Sequence, residues 1–189
     1  MHLHDGFYFR GALGVGALFG SNSTVNGALL VASAGDFDSS GIAVLSELAF
    51  GGSPLPGLVI GGGSYGASVP STSYEVAGSE IEGGTSAVSV LGPFIDIYPD
   101  PSAGLHLQFA PGLGAMNVNE GDFASDTIGG LGFGFMAGAG YEFWIGEQWS
   151  IGGLARVLYA RATIEDQYGH GQFEAQAILP GVLFTATYH

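Results

Sequence analysis

Large apolar residues recur at every second position along most of the chain. The pattern is clearest over residues 129–145, where Leu131, Phe133 and Phe135 alternate with glycine. A two-residue repeat indicates a β-strand, because successive side chains of a strand point to opposite faces. The competing interpretation of residues 128–145 is a membrane-spanning helix with small residues four apart. The spacing and the helix-weakening glycines favour the strand.

Eight segments of this kind follow one another, and turn or loop residues separate them. No stretch between them has a helical pattern. At 189 residues the chain is expected to form a single domain, residues 1–189. The predicted strands are residues 6–19, 40–51, 55–69, 85–98, 104–118, 129–145, 149–163 and 172–188.

The connectors between these segments alternate strictly between long and short. An up-and-down barrel in an outer membrane has short turns at one end and long loops at the other. Both chain ends then lie at the short-turn end. The long connectors are residues 20–39, 70–84, 119–128 and 164–171, and the short ones are 52–54, 99–102 and 146–148.

The two faces of each predicted strand differ in kind. One face carries large apolar side chains, and the other carries mostly glycine, alanine and an occasional charge. This predicts an apolar face toward lipid and a small, polar face toward a narrow lumen. Since every amide in hydrocarbon must be paired, the sheet must close. We therefore predict an all-β, closed, antiparallel, up-and-down transmembrane barrel of eight strands, with bulges at Pro93, Pro111 and Pro180.

Aromatic residues gather near the short turns. Rings at both edges of the lipid-facing band mark membrane interfaces in such barrels, and ordinary core packing is the alternative. The predicted girdle consists of Phe7, Phe9, Phe50, Tyr98, Phe143, Trp144 and Trp149.

A few charged and polar residues lie inside the predicted strands, in the half nearest the short turns. Alternation directs most of them into the lumen, where buried charges must be paired. The favoured interpretation is a network that closes the lumen, and the alternatives are a gated pore or a catalytic group of His106 with Glu47 or Glu142. The set is Arg10, Glu47, Asp96, His106, Gln108, Glu142 and Arg156.

The amino-acid composition excludes several kinds of partner and functional site. Charged residues make up 11% of the chain, against about 25% in soluble domains, yet the net charge is −14. Three basic residues cannot form a basic patch, so nucleic acid is excluded as a partner. The absence of cysteine removes disulfides, thiolate nucleophiles and cysteine-bound metals. Without lysine no phosphate-binding GxxxxGK[ST] loop exists, and no cofactor is predicted.

Most acidic residues fall in or beside the long connectors. The interpretations are a solvated acidic surface or weak sites for divalent cations, for which 117–122 has oxygen ligands at alternate positions. These acidic residues are Asp36, Asp38, Glu75, Glu80, Glu82, Glu120, Asp122, Asp126, Glu165, Asp166 and Glu174.

Taken together, the pattern resembles the small eight-stranded outer-membrane barrels of Gram-negative bacteria. The segment 46–63, SELAFGGSPLPGLVIGGG, is similar to a hairpin of such proteins from myxobacteria-like species. The segment 183–188, LFTATY, is similar to the assembly signal at barrel C-termini, and departs from it by ending in His189. The resemblance implies an outer-membrane location with both termini periplasmic. That family includes tethers, adhesion proteins, narrow pores and lipid-modifying enzymes.

The expected role is structural or surface-interacting, through acidic outer loops, and not enzymatic. Its partners would be the lipid bilayer or detergent, divalent cations at the loops, and a surface protein. The alternatives are a narrow cation-preferring channel or small-ligand carrier and, less favoured, a lipid-modifying barrel enzyme.

Overall fold

The computed structural model describes residues 6–27, 37–76, 79–82, 84–119, 127–165 and 171–189. Every regular element in these ranges is a β-strand, and no helix among them is long and apolar enough to cross a membrane. The strands are β1 (Gly6–Gly27), β2 (Phe37–Leu55), β3 (Leu58–Val69), β4 (Ser73–Val76), β5 (Ser79–Glu82), β6 (Ser86–Ile97), β7 (Leu105–Asn119), β8 (Thr127–Trp144), β9 (Trp149–Glu165) and β10 (Gly171–Tyr188).

Eight of these strands form a closed antiparallel barrel. Each pairs with its neighbour along the chain, with β3 pairing to β6, and β1 closes the ring by pairing with both β10 and β2. Leu13, for example, lies opposite Phe184 on one side and Ser46 on the other. The predicted fold class is confirmed.

The two ends of the barrel differ as the connector lengths predicted. The first residue of β1 and the last of β10 lie at the end that also carries the turns after β2, β6 and β8. We call this the short-turn end, and the opposite one the long-connector end.

Several predicted connectors are shorter than expected because the strands continue into them. The wall of β1, β2 and β10 extends beyond the predicted strands, with Asn22 paired to Phe37 and Gly27 to Gly171. The predicted loop 70–84 contains the hairpin of β4 and β5, and β4 pairs with β2 at Asp38–Ser40. The expected loops here are a polar extension of the sheet.

The first short turn also lies further along than predicted. Leu55 ends β2 and pairs with Leu58, so the turn consists of Pro56 and Gly57 and not of residues 52–54. Gly57 has φ +78, a conformation that side chains disfavour, and proline before such a glycine suits a type II turn.

The bulges predicted at Pro93, Pro111 and Pro180 are absent. The strands keep a constant register on both sides of each proline, and the register shifts lie elsewhere, at Thr24/Asn26 and Gly52/Leu55. Pro93 and Pro111 fall at a gap in the β6–β7 pairing, and Pro180 falls at a gap in the β1–β10 pairing. A missing N–H interrupts the ladder without inserting a residue.

The two faces of the sheet differ as alternation predicted. The outward face exposes large apolar side chains, and the inward face carries the buried side chains. An apolar surface of this extent suits lipid and not water. Representative outward residues are Leu13, Ile42, Leu91, Leu113, Leu131, Phe143 and Phe184.

Candidate functional site

A polar cluster fills the lumen in its short-turn half. Its seven predicted members come from six strands and meet inside the barrel, and all of them are buried. We call this cluster the plug, defined by Arg10, Glu47, Asp96, His106, Gln108, Glu142 and Arg156.

Arg10 is the centre of the plug. One terminal nitrogen, Nη2, lies 2.9 Å from Asp96 Oδ2 and 2.9 Å from Glu142 Oε1. The same nitrogen donates to the Tyr98 hydroxyl at 3.0 Å, and Nη1 donates to Gln108 Oε1 at 3.1 Å. A guanidinium has five N–H donors in one plane, which suits it to bring several strands together.

Arg156 forms a second centre of the plug, on the side of Arg10 that faces the long-connector end. Its Nη1 lies 3.5 Å from Glu47 Oε2 and donates to the Ser46 carbonyl at 3.1 Å. Its Nη2 donates to the Gly66 carbonyl at 2.7 Å. Gln108 joins the two centres, because its amide nitrogen donates to Glu47 Oε1 at 3.1 Å while its oxygen accepts from Arg10.

Further polar residues belong to the same network, although no charge drew attention to them in the sequence. Thr187 Oγ1 donates to Glu142 Oε1 at 2.6 Å, and Ser150 Oγ donates to Glu142 Oε2 at 2.8 Å. The Tyr8 hydroxyl donates to Asp96 Oδ2 at 3.1 Å. Strand alternation could have identified two of them. Tyr8 lies two residues from Arg10 in β1, and Thr187 lies four residues from the buried Leu183 in β10, so both point inward.

The plug leaves the Arg10 and Glu142 side chains no access to solvent. Each carboxylate of the plug has a cation or hydrogen-bond donors within reach. This arrangement gives each buried carboxylate at least one partner and closes the lumen at this level.

Glycine makes room for the plug at one position in particular. A Cβ on Gly140 would come within 2.9 Å of His106 Cε1 and 2.8 Å of the Gly153 carbonyl oxygen. The Nε2–Cε1 edge of the His106 ring therefore lies against the backbone of β8, and its Nδ1 lies 2.9 Å from Asp96 Oδ1. Close approach of a ring to backbone requires glycine.

Above the plug the lumen is apolar, whereas the sequence predicted a small and polar interior. Large aliphatic and methionine side chains from all sides of the barrel fill it, and they are buried. Strand alternation predicts that these side chains point inward. It does not predict a core, because they are few and are separated in the sequence by many small residues. They include Leu18, Leu45, Val69, Val90, Met116, Leu158, Ile164 and Leu179.

A pocket of about 780 Å³ lies at the long-connector end, outside the packed lumen. Phe19 and Ile178 provide its apolar part. Asp38, Glu75 and Glu80 provide carboxylates from β2, β4 and β5, and serine hydroxyls lie between them. Directly opposed like charges are unfavourable in a sheet, so this rim favours cationic surroundings.

Of the remaining acidic residues predicted for the long connectors, the structure describes three. Asp36, Glu120, Asp122, Asp126 and Asp166 lie outside the described residues. Glu82 and Glu165 lie in β5 and β9, and Glu174 pairs with Arg161 on the outward face at 2.6 Å.

The predicted divalent-cation sites stay a prediction, because residues 120–122 of the candidate segment lie outside the described residues. Within the described ranges, no three potential metal-ligating side chains lie close enough together to hold an ion.

The aromatic girdle is smaller than predicted. Tyr98 and Trp144 face inward, which corrects their assignment: Tyr98 stacks on His106 at 5.2 Å, and Trp144 packs against His189 at 4.8 Å. Both share the inward parity of a plug residue two positions earlier, Asp96 or Glu142. The remaining five, Phe7, Phe9, Phe50, Phe143 and Trp149, lie on the outward face, and Tyr188 joins Phe7 and Trp149 there.

Comparison with known proteins defines the class through the fold. No protein-family model matches the chain, and no curated protein is significantly similar to it. Among solved structures, the outer membrane protein OprG from Pseudomonas aeruginosa is 12% identical over 98% of each chain, with a TM-score of 0.54. Outer membrane protein AlkL, solved in DMPC lipid bilayers, is 12% identical over 100% of this chain and 92% of its own, with a TM-score of 0.52.

The chain therefore has the fold of the bacterial outer-membrane β-barrels. This is as far as the predicted resemblance extends, since the expected likeness of residues 46–63 to proteins of myxobacteria-like species has no support. A more distant structure, Ail of Yersinia pestis, is 9% identical over 94% of this chain and 98% of its own, with a TM-score of 0.48. It was solved in complex with the heparin analogue sucrose octasulfate.

The prediction that the protein is not an enzyme is wrong, because a barrel of this architecture does not exclude enzymatic activity. The similar structures include the outer membrane protease OmpT from Escherichia coli, which is 8% identical over 96% of this chain and 97% of its own, with a TM-score of 0.41. This likeness concerns the fold alone, and the fold does not exclude catalysis.

Proposed function

We propose that this protein is a sealed barrel of a bacterial outer membrane, with a structural or surface-interaction role at its long-connector rim. The observation that carries the proposal is the closed lumen. Arg10 is fully buried between Asp96 and Glu142, and a packed apolar core lies above it. A solute has no path past both layers, so the surfaces left for function are the outer wall and the rims.

The long-connector rim is the better of the two for a partner. It carries the pocket of about 780 Å³ with the side chains of Asp38, Glu75 and Glu80, whereas the short-turn end consists of tight turns. Concave surfaces with apolar and polar lining are typical of binding sites. The carboxylates favour a partner that presents cationic groups.

The location follows from the outward face. Its exposed apolar side chains need lipid, and a closed barrel has no open sheet edge whose amides lipid would leave unpaired. Short turns face the periplasm in such barrels. The first residue of β1 and the last of β10, which share the short-turn end, are therefore assigned to the periplasm and the pocket to the cell surface.

The channel alternative has weaker support. A cation path would have to pass the Arg10 and Glu142 side chains, which have no exposed surface, and the aliphatic layer above them. The catalytic alternative based on His106 meets the same obstacle, since its ring is buried against Gly140.

Thiol labelling in intact cells tests the location and the orientation. The chain contains no cysteine, so Glu75→Cys and the matched control Ser102→Cys each introduce a single exposed thiol, at opposite ends of the barrel. A membrane-impermeant maleimide should label the Glu75→Cys variant in intact cells, and the Ser102→Cys variant only after the outer membrane is opened. Labelling of the Ser102→Cys variant alone in intact cells would mean that the barrel has the opposite orientation. Recovery of both variants outside the outer-membrane fraction would refute the location.

A further inference from the structure

The charges inside the plug do not balance. Its described members supply three carboxylates, from Glu47, Asp96 and Glu142, and two guanidiniums, from Arg10 and Arg156, all with no side-chain exposure. This leaves one uncompensated negative charge. A buried charge without a partner is strongly unfavourable, so a further positive charge is expected in contact with the cluster.

The excess charge can be located. Glu47 has Arg156 as its partner at 3.5 Å, and its distance to Arg10 is longer, at 3.9 Å. Arg10 alone serves two carboxylates, those of Asp96 and Glu142, each at 2.9 Å. The missing positive charge therefore belongs beside Asp96 or Glu142.

Each of these two carboxylates touches one imidazole. His106 Nδ1 lies 2.9 Å from Asp96 Oδ1, and His189 Nε2 lies 3.4 Å from Glu142 Oε2. Histidine is the side chain whose ordinary titration range lies near neutrality, so a proton on either ring would close the balance.

His106 is the poorer of the two positions. Its second nitrogen, Nε2, is buried with no hydrogen-bond partner among the described residues, and it faces the backbone of Gly140. An imidazolium donates from both nitrogens. Protonation would create a buried donor with nothing to accept it, which costs free energy, so His106 is best satisfied as the neutral ring with its proton on Nδ1.

His189 lies at the mouth of the plug and is 8% exposed, which gives it a route to solvent protons. Its Nε2 is 3.1 Å from Ser150 Oγ, itself a donor to Glu142. Its backbone amide donates to the Gln148 carbonyl at 2.8 Å, which fixes the residue across the turn between β8 and β9.

Aromatic rings and the same carboxylate surround this imidazole on its other sides. Among the described residues, the titratable and charged groups in contact with it include Glu142 from β8, Tyr8 from β1 at 5.8 Å between ring centres, and Tyr98 after β6 at 6.1 Å. Arg10 and Asp96 lie one hydrogen bond further in, through Tyr98 and Tyr8 respectively. Aromatic faces favour a cation at this place.

We infer that His189 is a proton-binding site of the plug, and that its imidazolium is the cation that completes the charge balance of Arg10, Asp96 and Glu142. The proton comes from water at the short-turn mouth, forms the Nε2–H bond, and is donated toward Glu142 Oε2. When His189 releases this proton, Glu142 keeps its charge but loses a partner, and the mouth becomes less stable. The inference rests on the proposed function only in that both require a sealed lumen.

Nitrogen NMR of the protein, refolded in detergent micelles and labelled at histidine nitrogens, tests the assignment directly. His106→Gln and His189→Gln identify the two resonances. We expect His189 to show the imidazolium pattern at pH 6, and His106 to show the neutral Nδ1–H pattern in the same sample. A neutral His189 together with a charged His106 at pH 6 would overturn the inference, as would two neutral rings.

Unfolding by urea at several pH values gives a second, independent measure. One proton held by the folded chain and released by the unfolded one changes the unfolding constant up to tenfold per pH unit, and stability falls as pH rises. This slope should disappear in His189→Gln, which is never charged, and in His189→Arg, which is always charged. His106→Gln should retain it. An unchanged slope in both His189 variants would contradict the inference.

The two proposals can fail separately. The NMR pattern reads protonation in micelles and does not depend on the cellular location, which thiol labelling tests. Failure of the labelling experiment would refute the surface role and would not affect the assignment of His189. A neutral His189 would refute that assignment and would not affect the surface role.

Discussion

Replacement of Arg10 by methionine is the most severe single test of the plug. Methionine keeps the length and the apolar stem of the side chain but removes the guanidinium. Asp96 and Glu142 would each lose an ion pair of 2.9 Å in a place with no solvent access. The hydrogen bonds to Gln108 at 3.1 Å and Thr187 at 3.2 Å would disappear with them.

The expected magnitude follows from the burial of these groups. Removing one partner of a buried ion pair costs about 3–5 kcal/mol, because the other charge stays buried without compensation. Arg10 serves two carboxylates, so we expect a loss of at least about 3 kcal/mol, or roughly two orders of magnitude in the unfolding constant.

The matched control is Arg161→Met. Arg161 forms a shorter ion pair, 2.6 Å from Glu174, but its side chain is 51% exposed on the outward face. Exposed pairs contribute about 0–1 kcal/mol. The two variants remove the same chemical group and differ in its surroundings.

The assay is reversible urea unfolding of the protein in lipid vesicles, read by tryptophan fluorescence. Adding Glu142→Gln to Arg10→Met removes one orphaned charge and should recover about 1–3 kcal/mol. If Arg10→Met and Arg161→Met lose stability equally, or if the second substitution recovers nothing, the plug does not hold the barrel together as described.

Three further substitutions test the outward wall, the packing of the plug and one turn. Leu13→Arg places a charge on the exposed apolar face and should cost about 2–4 kcal/mol in vesicles, with unfolding by urea as the measure; a barrel indifferent to it would not have that face in lipid. Gly140→Val should displace the ring of His106 and cost about 1–3 kcal/mol, and an unchanged imidazole resonance would contradict the close packing described here. Hydrogen bonds from the Ser102 hydroxyl and amide, at 2.7 Å and 2.9 Å, hold the pKa of Asp100 below its ordinary value, so Ser102→Ala, which removes the hydroxyl, should raise that pKa in a carboxyl NMR titration. The charged form of Asp100 is the stabilised one, so its contribution is present at neutral pH and is lost as pH falls below about 4; an unaltered titration would show that the turn does not act on it.

The number of strands and the face on which each side chain lies could be predicted from the sequence, because both depend on local alternation. The two-residue repeat directs Arg10, Glu47 and Glu142 to the same interior, and strand order then makes their strands meet. Closure follows from connector lengths and from the need to pair every amide in lipid.

What the sequence could not provide depends on long-range packing. Tyr98 and Trp144 lie near short turns, as girdle residues do, and the imidazoles they pack against, His106 and His189, lie beyond their own strands. The hairpin of β4 and β5 forms because β2 extends far enough to pair with it. His189 follows the last strand, so its contact with Glu142 depends on how the turn after β8 folds back.

The most direct test of the account is the conductance of the purified, refolded protein in a planar lipid bilayer at neutral pH. A lumen closed by Arg10 and Glu142 below and by aliphatic side chains above predicts a stable insertion with no current steps. Reproducible cation-selective steps that Glu47→Gln abolishes would contradict the sealed lumen and establish a channel in its place.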